Sequence, residues 1–324
     1  MRLGRTAGLL SFAYGAPAAA RREGVDLVLS FARTIGADVM RSGGSAHISY
    51  LRAARQWRST LQWRAMLASP YHRAQTLIER RGFASSQLKA TIAVSNLVRA
   101  DLIREFQLPV ERVITLYNGV DLARFTPPSD DSARNEIRRS MDIADGAPLV
   151  AFVGNGFGRK GLSFLIDAWP QVARGAHLLV AGADRDSGSY QRSAARLGVS
   201  ERIHFLGAMP DVRVVFHGVD AFALPSLFEP FGNVIMEAMA SGLPVLSSAQ
   251  SGASELLPEP LQRFVVRDPT DPAEIAQKLN ALLQADGELL RSTARAAAER
   301  YTWQTYAEKL LATISAVASG RAVV

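Results

Sequence analysis

The sequence between residues 149 and 317 alternates short apolar runs with segments of helical periodicity. Strands that alternate with helices form parallel sheets, because each crossover helix carries the chain back to the same end of the sheet. Ligands of such sheets bind at the carboxyl ends of the strands. The predicted strands are 149–154, 177–182, 203–207, 221–225, 244–249 and 264–266, with helices at 161–172, 189–197, 212–218, 232–241 and over most of 272–317.

The preceding part of the chain has a weaker pattern. Strands are predicted at 26–30, 90–95 and 112–117, helices at 49–68 and 96–106, and a flexible polar loop at 36–47. Because a Pro-Pro pair and a polar stretch follow residue 126, we place a linker there. The predicted organisation is an N-terminal domain (1–128), a linker (129–147), a second domain (148–300) and a last helix (301–324) that crosses back to the first domain.

Charge is divided unequally between these parts. Residues 1–128 carry 18 Lys and Arg against 8 Asp and Glu, whereas the remainder carries 19 against 22. A basic domain favours an anionic partner. No nucleic-acid recognition motif accompanies the charge, so nucleic acid is not the expected partner. The chain has no cysteine, which excludes disulfides, thiolate metal sites and a cysteine nucleophile.

The N-terminus allows two interpretations. Arg2 and Arg5 precede an apolar stretch at 7–20, as in a signal peptide, but a strand or helix fragment is the simpler interpretation. No apolar run reaches 18 residues, so no transmembrane helix is predicted.

Two motifs follow predicted strands and open predicted helices. The first, residues 154–161, reads GNGFGRKG and combines glycines with Arg159 and Lys160. Glycines let the backbone approach a phosphate, and the two cations suit a diphosphate. The second, residues 229–237, reads EPFGNVIME and places Glu229 and Glu237 around the start of a helix, where free backbone amides favour an anion. Each motif alone is also compatible with an ordinary capped helix.

Together the motifs resemble glycosyltransferase family 4, and the resemblance covers most of the chain. It includes Val94-Ser95, the Asn118–Asp121 turn with Phe125, Phe205–Gly207, the Glu-x7-Glu pair and Gly242–Val245. The 158–161 tetrapeptide is similar to the lipopolysaccharide core glucosyltransferase I branch. The resemblance implies a GT-B fold, α/β with two doubly wound parallel-sheet domains and a cleft between them. Family members usually begin with a strand and a glycine-rich loop, for which no matching pattern is found here, so we expect the first domain to be incomplete.

The resemblance also implies the roles of individual residues. Lys160 and Arg159 are expected to hold the donor diphosphate, Glu229 the sugar hydroxyls and Glu237 the ribose. Many members carry arginine where this chain has Asn155, which shifts the phosphate contact towards Arg159. The predicted catalytic residues are Glu229, Lys160, Arg159 and His47. The predicted donor-binding residues are Gly154, Asn155, Gly158, Arg159, Lys160, Glu229, Phe231, Gly232, Asn233 and Glu237.

The implied activity is transfer of a hexose, with retention, from a nucleotide sugar such as UDP-glucose to a lipopolysaccharide core or related glycolipid. Front-face attack then needs no protein nucleophile. No cofactor or metal is expected, and Asp184-Arg185-Asp186 is interpreted as a chance match to a metal-binding pattern. Two alternatives remain: a UDP-sugar epimerase on the same fold, and a donor-binding protein without catalytic activity.

The basic N-terminal part is expected to serve the acceptor. His47, in the predicted loop at 36–47, is the candidate cleft residue, with an ordinary loop histidine as the alternative. Tryptophan interspersed with arginine and little acid suits an anionic membrane or a phosphorylated acceptor, or else a solvated helix face. The predicted membrane or acceptor residues are Arg52, Arg55, Trp57, Arg58, Trp63 and Arg64. We expect a cytoplasmic protein at the inner face of the cytoplasmic membrane, since nucleotide sugars are cytosolic.

Overall fold

The computed structural model describes residues 4–321. The chain divides into two compact units, the first formed by Met1–Asn118 with Gln304–Val324 and the second by Gly119–Trp303. The division falls at Asn118 and Gly119, earlier than the boundary predicted after residue 128.

The first unit contains a parallel sheet whose four strands lie in chain order, β1-β2-β3-β4. Its strands are β1 (Leu29–Ser30), β2 (Val39–Ser42), β3 (Ala90–Ala93) and β4 (Val113–Thr115), and its helices before Asn118 are α1 (Arg5–Arg22), α2 (His47–Ala53), α3 (Thr60–Ala68), α4 (Pro70–Phe83) and α5 (Asn96–Phe106).

Two sequence predictions for this unit are wrong. The predicted loop at 36–47 contains β2, which pairs with both β1 and β3. The predicted helix at 49–68 is interrupted, because a 3-10 turn at Ala54–Gln56 ends α2 and Ser59 starts α3 afresh. The Ser59 hydroxyl accepts from the Gln62 amide, and the Gln62 side chain accepts from the Ser59 amide, which forms a capping box. α3 ends at Ala68, where the predicted helix also ends, and Pro70 is the first residue of α4.

The second unit contains a parallel sheet with the strand order β10-β9-β8-β5-β6-β7. Its strands are β5 (Leu149–Val153), β6 (His177–Ala181), β7 (Ile203–Gly207), β8 (Ala221–Leu224), β9 (Val245–Ser248) and β10 (Val265–Val266). The helices from Gly119 onward are α6 (Ser132–Ser140), α7 (Leu162–Ala168), α8 (Ser187–Arg196), α9 (Arg213–Gly218), α10 (Asn233–Ala240), α11 (Glu259–Gln262), α12 (Pro272–Gln284), α13 (Gly287–Ala298) and α14 (Trp303–Ala318).

The strand order reverses between β5 and β8. From β5 the chain adds β6 and β7 on one side, then returns to place β8, β9 and β10 on the other. Strands β5, β6, β8 and β9 are almost entirely buried, because helices cover both faces of a parallel sheet, whereas β7 at the edge of the sheet is mostly half-buried. In sheets of this kind the reversal leaves a crevice at the carboxyl ends of the two central strands, where ligands bind.

Residues 129–147, predicted as a linker, contain α6. Ile137 and Arg138 of α6 are buried, and the Arg138 guanidinium donates to the carbonyl oxygens of Ala144 and Ala147 at 2.6 Å. The segment is therefore part of the second unit and not a free connection.

The C-terminal helix α14 contributes to the core of the first unit. Tyr306 and Val317 pack in one cluster with Val39, Ala90 and Ile92 of its sheet. Residues from Gln304 onward accordingly belong to the first unit, although they follow the second in sequence.

Candidate functional site

The two predicted motifs follow the two strands at which the sheet order reverses. The motif at 154–161 follows β5, the motif at 229–237 begins in the loop after β8 and continues into α10, and β5 pairs directly with β8. The Leu227 amide donates to the Arg159 carbonyl oxygen at 2.9 Å, which joins the two loops. The structure thus brings both motifs together at the crevice of the second unit.

A buried glutamate receives both cations of the first loop. Lys160 Nζ lies 2.9 Å and Arg159 Nη1 3.0 Å from the same oxygen of Glu229, Oε2. Lys160 and Glu229 are each 8% exposed. Arg159 Nη1 also donates to the Phe228 carbonyl oxygen at 2.7 Å, so two acceptors hold the same terminal nitrogen. Three charges predicted to contact one ligand therefore form one connected cluster.

The electrostatics of this cluster favour an anionic ligand. Burial acts to raise the pKa of Glu229, but Lys160 and Arg159 act against it, and the resulting pKa lies below the usual range of glutamate. Glu229 is therefore ionised at neutral pH. Two cations and one carboxylate leave a net positive charge in a confined space, which suits a diphosphate.

The loop after β5 depends on glycine at two positions. Gly154 has φ of 145°, and a Cβ there would lie 2.5 Å from the Lys160 side chain. Gly161 has φ of 81°, and a Cβ there would lie 2.0 Å from the Pro225 carbonyl oxygen. These conformations and contacts exclude side chains, so the two glycines let Lys160 and the β8 loop approach one another.

The helix after β8 begins at a glycine in the left-handed conformation. Gly232 is the N-cap of α10 with φ of 96°, and it has no side-chain cap. Its neighbour Phe231 is buried, and the Phe231 carbonyl accepts from the Ser251 hydroxyl at 3.0 Å. Asn233 is the first residue of α10 and is exposed. The positive end of the helix dipole adds to the positive charge of the cluster.

Glu237 lies one turn into α10 and is partly buried. Burial raises its pKa, against the lowering influence of Arg124 and Lys160. A carboxyl in this position can accept a hydrogen bond from a ligand hydroxyl, as the sequence predicts.

Two polar side chains connect the loops after β5 and β6. Asn155 Oδ1 accepts from the Ala183 amide at 2.8 Å, and Asp184 Oδ2 accepts from the Phe157 amide at 2.7 Å. Asp184 Oδ1 also accepts from the Asp186 amide at 2.9 Å. The Asp184 side chain therefore fixes loop geometry, a role that was not predicted because the Asp-x-Asp pattern was interpreted as a chance match. Among residues 4–321 no group of three metal-ligating side chains occurs.

His47 lies in the first unit and is only 6% exposed. Its Nε2 is 3.0 Å from His72 Nδ1, and the two rings stack at 5.1 Å. Its backbone amide donates to Glu79 at 2.7 Å. Burial, Arg33 and His72 lower the pKa of His47 to about 4, which keeps the ring neutral. The structure places this imidazole in a packed histidine pair and not at an open ligand site.

The predicted membrane or acceptor residues have different environments. Arg52 forms an ion pair with Glu105 at 2.6 Å. The Trp63 indole donates to the Leu51 carbonyl oxygen at 2.8 Å. The guanidinium carbon of Arg55 lies 5.7 Å from the centre of the Trp63 ring. Trp57 is partly buried and its ring contacts that of Tyr50, whereas Arg58 and Arg64 are exposed. α3 has no buried residue, and its Leu61 is 80% exposed.

Two family models match the chain in sequence order. The model for Glycosyltransferase Family 4 matches residues 3–124, and that for Glycosyl transferases group 1 matches residues 147–285. The chain belongs to the family 4 glycosyltransferases. A related protein is the D-inositol 3-phosphate glycosyltransferase of Salinispora tropica, 32% identical over 68% of this chain and 49% of that protein. The chain spans about half the length of the curated relatives it matches.

Solved structures of glycosyltransferases share the fold. WaaG, described as a glycosyltransferase involved in lipopolysaccharide biosynthesis, aligns with a TM-score of 0.75 and 23% identity over 96% of this chain and 83% of its own. HepE of Anabaena, in complex with UDP-glucose, aligns with a TM-score of 0.66 and 23% identity over 86% of this chain and 79% of its own. The two parallel-sheet units of this family 4 chain match the GT-B fold, as the sequence predicts.

Proposed function

We propose that this chain transfers a hexose, with retention of anomeric configuration, from a nucleotide sugar to a hydroxyl group of a glycolipid acceptor. The observation that carries the proposal is the cluster of Lys160, Arg159 and Glu229 at the reversal of strand order in the second unit. Its charges fit a sugar diphosphate, and family membership supports group transfer over simple binding. UDP-glucose is the proposed donor because HepE, which shares the fold, is described with that molecule.

In this proposal each site residue contacts one part of the donor. Lys160 and Arg159 bind the diphosphate, with the start of α10 at Gly232 facing the same group. Glu229 accepts hydrogen bonds from sugar hydroxyls, and Glu237 accepts from the ribose. Before a donor binds, Glu229 holds both cations close to the phosphate position, so little rearrangement is needed.

The proposed reaction needs no nucleophile from the protein. An acceptor hydroxyl oxygen forms a bond to the anomeric carbon on the face from which the phosphate oxygen leaves. The hydroxyl proton passes to the departing diphosphate, which yields a glycoside and UDP. Negative charge grows on the diphosphate as its bond to the sugar breaks, and Lys160 and Arg159 stabilise that charge. No metal ion or cofactor takes part.

The proposed acceptor is a lipopolysaccharide core or a related glycolipid. WaaG, which shares the fold, is described as a glycosyltransferase involved in lipopolysaccharide biosynthesis, and this supports an acceptor of that class. A groove of about 510 Å³ between α2, α3 and α4 adds to the support, since apolar Leu51, Leu67 and Leu77 line it together with Arg73 and Arg80. Apolar and cationic side chains in one groove suit an anionic lipid surface, and we place the chain at the inner face of the cytoplasmic membrane. Within residues 4–321 no helix is long and apolar enough to cross a membrane.

Hydrolysis of a panel of nucleotide sugars by the purified chain, followed as release of nucleoside diphosphate, tests the donor assignment. Slow release from UDP-glucose without an acceptor is the expected result. Conversion of the sugar to an epimer would instead identify an epimerase. Saturable binding of UDP-glucose, with no release even when a glycolipid acceptor is added, would contradict transfer and indicate a donor-binding protein.

A further inference from the structure

The first unit contains a polar cavity at the carboxyl ends of β1 and β2. Its volume is about 220 Å³. The side chains that matter to its chemistry are Phe31, Arg33, Arg41 and Glu79, and Gly43 forms part of its wall. This is the end of a parallel sheet at which ligands bind, and no residue of the cavity belongs to the donor site of the second unit.

The Arg33 side chain is fixed through Nε, while the N–H groups of its two terminal nitrogens remain available for hydrogen bonding. Its Nε donates to Glu79 Oε1 at 2.5 Å, and Glu79 is 3% exposed. The second carboxylate oxygen of Glu79 accepts from the His47 amide at 2.7 Å, so Glu79 serves the protein on both oxygens. Within the described residues the terminal nitrogens of Arg33 have no hydrogen-bond partner. A guanidinium fixed through Nε presents these two groups as a fork for an oxyanion.

Arg41 adds a positive charge that no carboxylate neutralises. Its Nη2 donates to the Asn118 amide oxygen at 2.6 Å, which is a neutral partner. Its Nε is buried and has no hydrogen-bond partner in residues 4–321. Arg41 as a whole is half-buried, but a buried N–H group without a partner is costly, and a ligand that accepts from it would remove that cost.

An aromatic ring lies beside these cations. Phe31 is 57% exposed, and the Arg41 guanidinium carbon lies 5.6 Å from its ring centre. An exposed aromatic ring next to hydrogen-bonding groups suits a molecule with an apolar face and a polar edge, as a pyranose has. The volume is below the range of about 300 to 1,000 Å³ typical of pockets for drug-sized ligands, so one ring fits better than a long oligosaccharide.

We propose that this cavity binds a single sugar ring that carries an anionic group, with the anion on Arg33 and Arg41 and the ring against Phe31. The proposal rests on the proposed function, because it assigns this ring to the acceptor. The anion is a phosphate or a carboxylate, both of which match the fork of a guanidinium. A divalent cation is excluded as the ligand, since Arg33 and the His47 amide already engage the one carboxylate of the cavity and Arg41 adds a second positive charge to its lining.

Calorimetric titration of the full chain with glucose 6-phosphate, glucuronate, glucose and inorganic phosphate tests the proposal without any turnover. At least one of the two anionic sugars should bind about tenfold or more tightly than glucose, as expected for hydrogen bonds to a charged group. The stronger of the two identifies the anion. Equal binding of glucose and both anionic sugars would overturn the proposal, and inorganic phosphate binding as tightly as glucose 6-phosphate would overturn the sugar assignment.

Two variants test the residues. Arg41→Gln removes the charge, and Gly43→Ala places a Cβ 2.9 Å from Arg41 Nη1, which displaces the flexible guanidinium while leaving the fold unstrained. Both should weaken binding of the preferred anionic sugar about tenfold. Arg22→Gln, an exposed arginine of the same unit outside the cavity, should bind like the wild type. Unchanged binding by both cavity variants would overturn the assignment.

Binding of the anionic sugar should not depend on the donor site. Lys160→Ala should bind the anionic sugar with wild-type affinity even if it no longer hydrolyses a nucleotide sugar. Loss of hydrolysis with intact sugar binding would count against the proposed transferase activity alone. Hydrolysis of UDP-glucose with no preference for an anionic sugar would count against this cavity alone.

Discussion

Lys160 Nζ lies 2.9 Å from Glu229 Oε2, although the two residues are 69 positions apart in the chain. The contact exists because β5 and β8 are neighbours in the sheet and each motif follows one of them. A donor phosphate that binds Lys160 must therefore share this cation with a carboxylate that is already in place.

Replacement of Lys160 should reduce catalysis more than stability. Lys160→Ala removes a cation from the leaving diphosphate, while Arg159 remains 3.0 Å from Glu229 to pair with the buried carboxylate. We expect hydrolysis or transfer to fall about a hundredfold or more, as for loss of one group that stabilises a transition-state charge. The measurement is the turnover number with UDP-glucose. Arg192→Ala, an exposed cation on α8, is the control and should retain full turnover.

Substitution of Gly161 should destabilise the second unit. In Gly161→Ala the new Cβ lies 2.0 Å from the Pro225 carbonyl oxygen, and the alanine backbone must keep a left-handed conformation. The expected loss in the free energy of unfolding is about 3 kcal/mol or more. Gly175→Ala is a matched control, since its φ of 87° is similar but nothing lies within 4 Å. It should lose only about 1 to 2 kcal/mol. Urea unfolding measures both, and equal losses would show that the contact with Pro225 does not matter.

Asp184 should position the donor loop without a metal ion. Asp184→Ala leaves the Phe157 amide without its acceptor, which costs about 1 to 3 kcal/mol and should weaken UDP binding. Asp186→Ala is the control, because only its backbone takes part in the loop contacts. EDTA should leave turnover unchanged. Restoration of EDTA-treated enzyme by Mg²⁺ or Mn²⁺ would instead assign the Asp-x-Asp pattern to a metal.

The His47 ring should make the first unit sensitive to acid. Its pKa falls from 6.5 to about 4 on folding, so below pH 6.5 the unfolded state binds a proton that the folded state refuses. Stability contributed by neutral His47 is complete above pH 6.5 and is lost as the pH falls towards 4. Relative to wild type, His47→Phe should therefore gain stability over this window. A constant difference in unfolding free energy between pH 7 and pH 4.5 would contradict this assignment.

The exposed face of α3 should mediate binding to anionic membranes. The double variant Leu61→Gln with Arg64→Gln removes an apolar side chain worth about 1.5 to 3 kcal/mol on burial and a charge worth about 1 kcal/mol near an anionic surface. Sedimentation with phosphatidylglycerol vesicles at low salt should show at least about tenfold weaker binding. Leu311→Gln, 63% exposed on α14, is the control. Equal sedimentation of both variants would exclude α3 as the contact.

The six strands of the second unit and the helices between them could be predicted from sequence, whereas α6 and α11 could not. Most strands of this unit are short, mainly apolar runs, because both faces of a parallel sheet are covered, and glycines mark several of their ends. The rule that ligands bind at the carboxyl ends of strands was enough to bring Lys160 and Glu229 to one site. That Lys160 and Arg159 share one oxygen of Glu229 could not be predicted, because it depends on how the side chains pack and not on the spacing of residues in the sequence.

The first unit was harder to predict because its elements are short or polar. β2 ends in Arg41 and Ser42 and is followed directly by Gly43 and Gly44, so its pattern resembles a loop. The stripe of apolar residues from Leu51 to Ala68 suggested one helix, but the Ser59 capping box starts a new one. The cavity at Arg33 and Arg41 could be found only after β1 and β2 were known to pair, since neither arginine belongs to a recognisable motif.

The bridge between Val120 and Thr302 has a consequence for the order of folding. The Val120 amide donates to the Tyr301 carbonyl at 2.8 Å, so the points where the chain enters and leaves the second unit are adjacent. Before that unit folds, α14 must find its partners across a very long loop, and closing such a loop has a large entropic cost. Once the second unit has folded, the Val120–Thr302 bridge fixes the start of α14 only a few residues along the chain from Leu116. Assembly of the first unit's core should therefore wait for the second, and a substitution that slows the second unit should delay both.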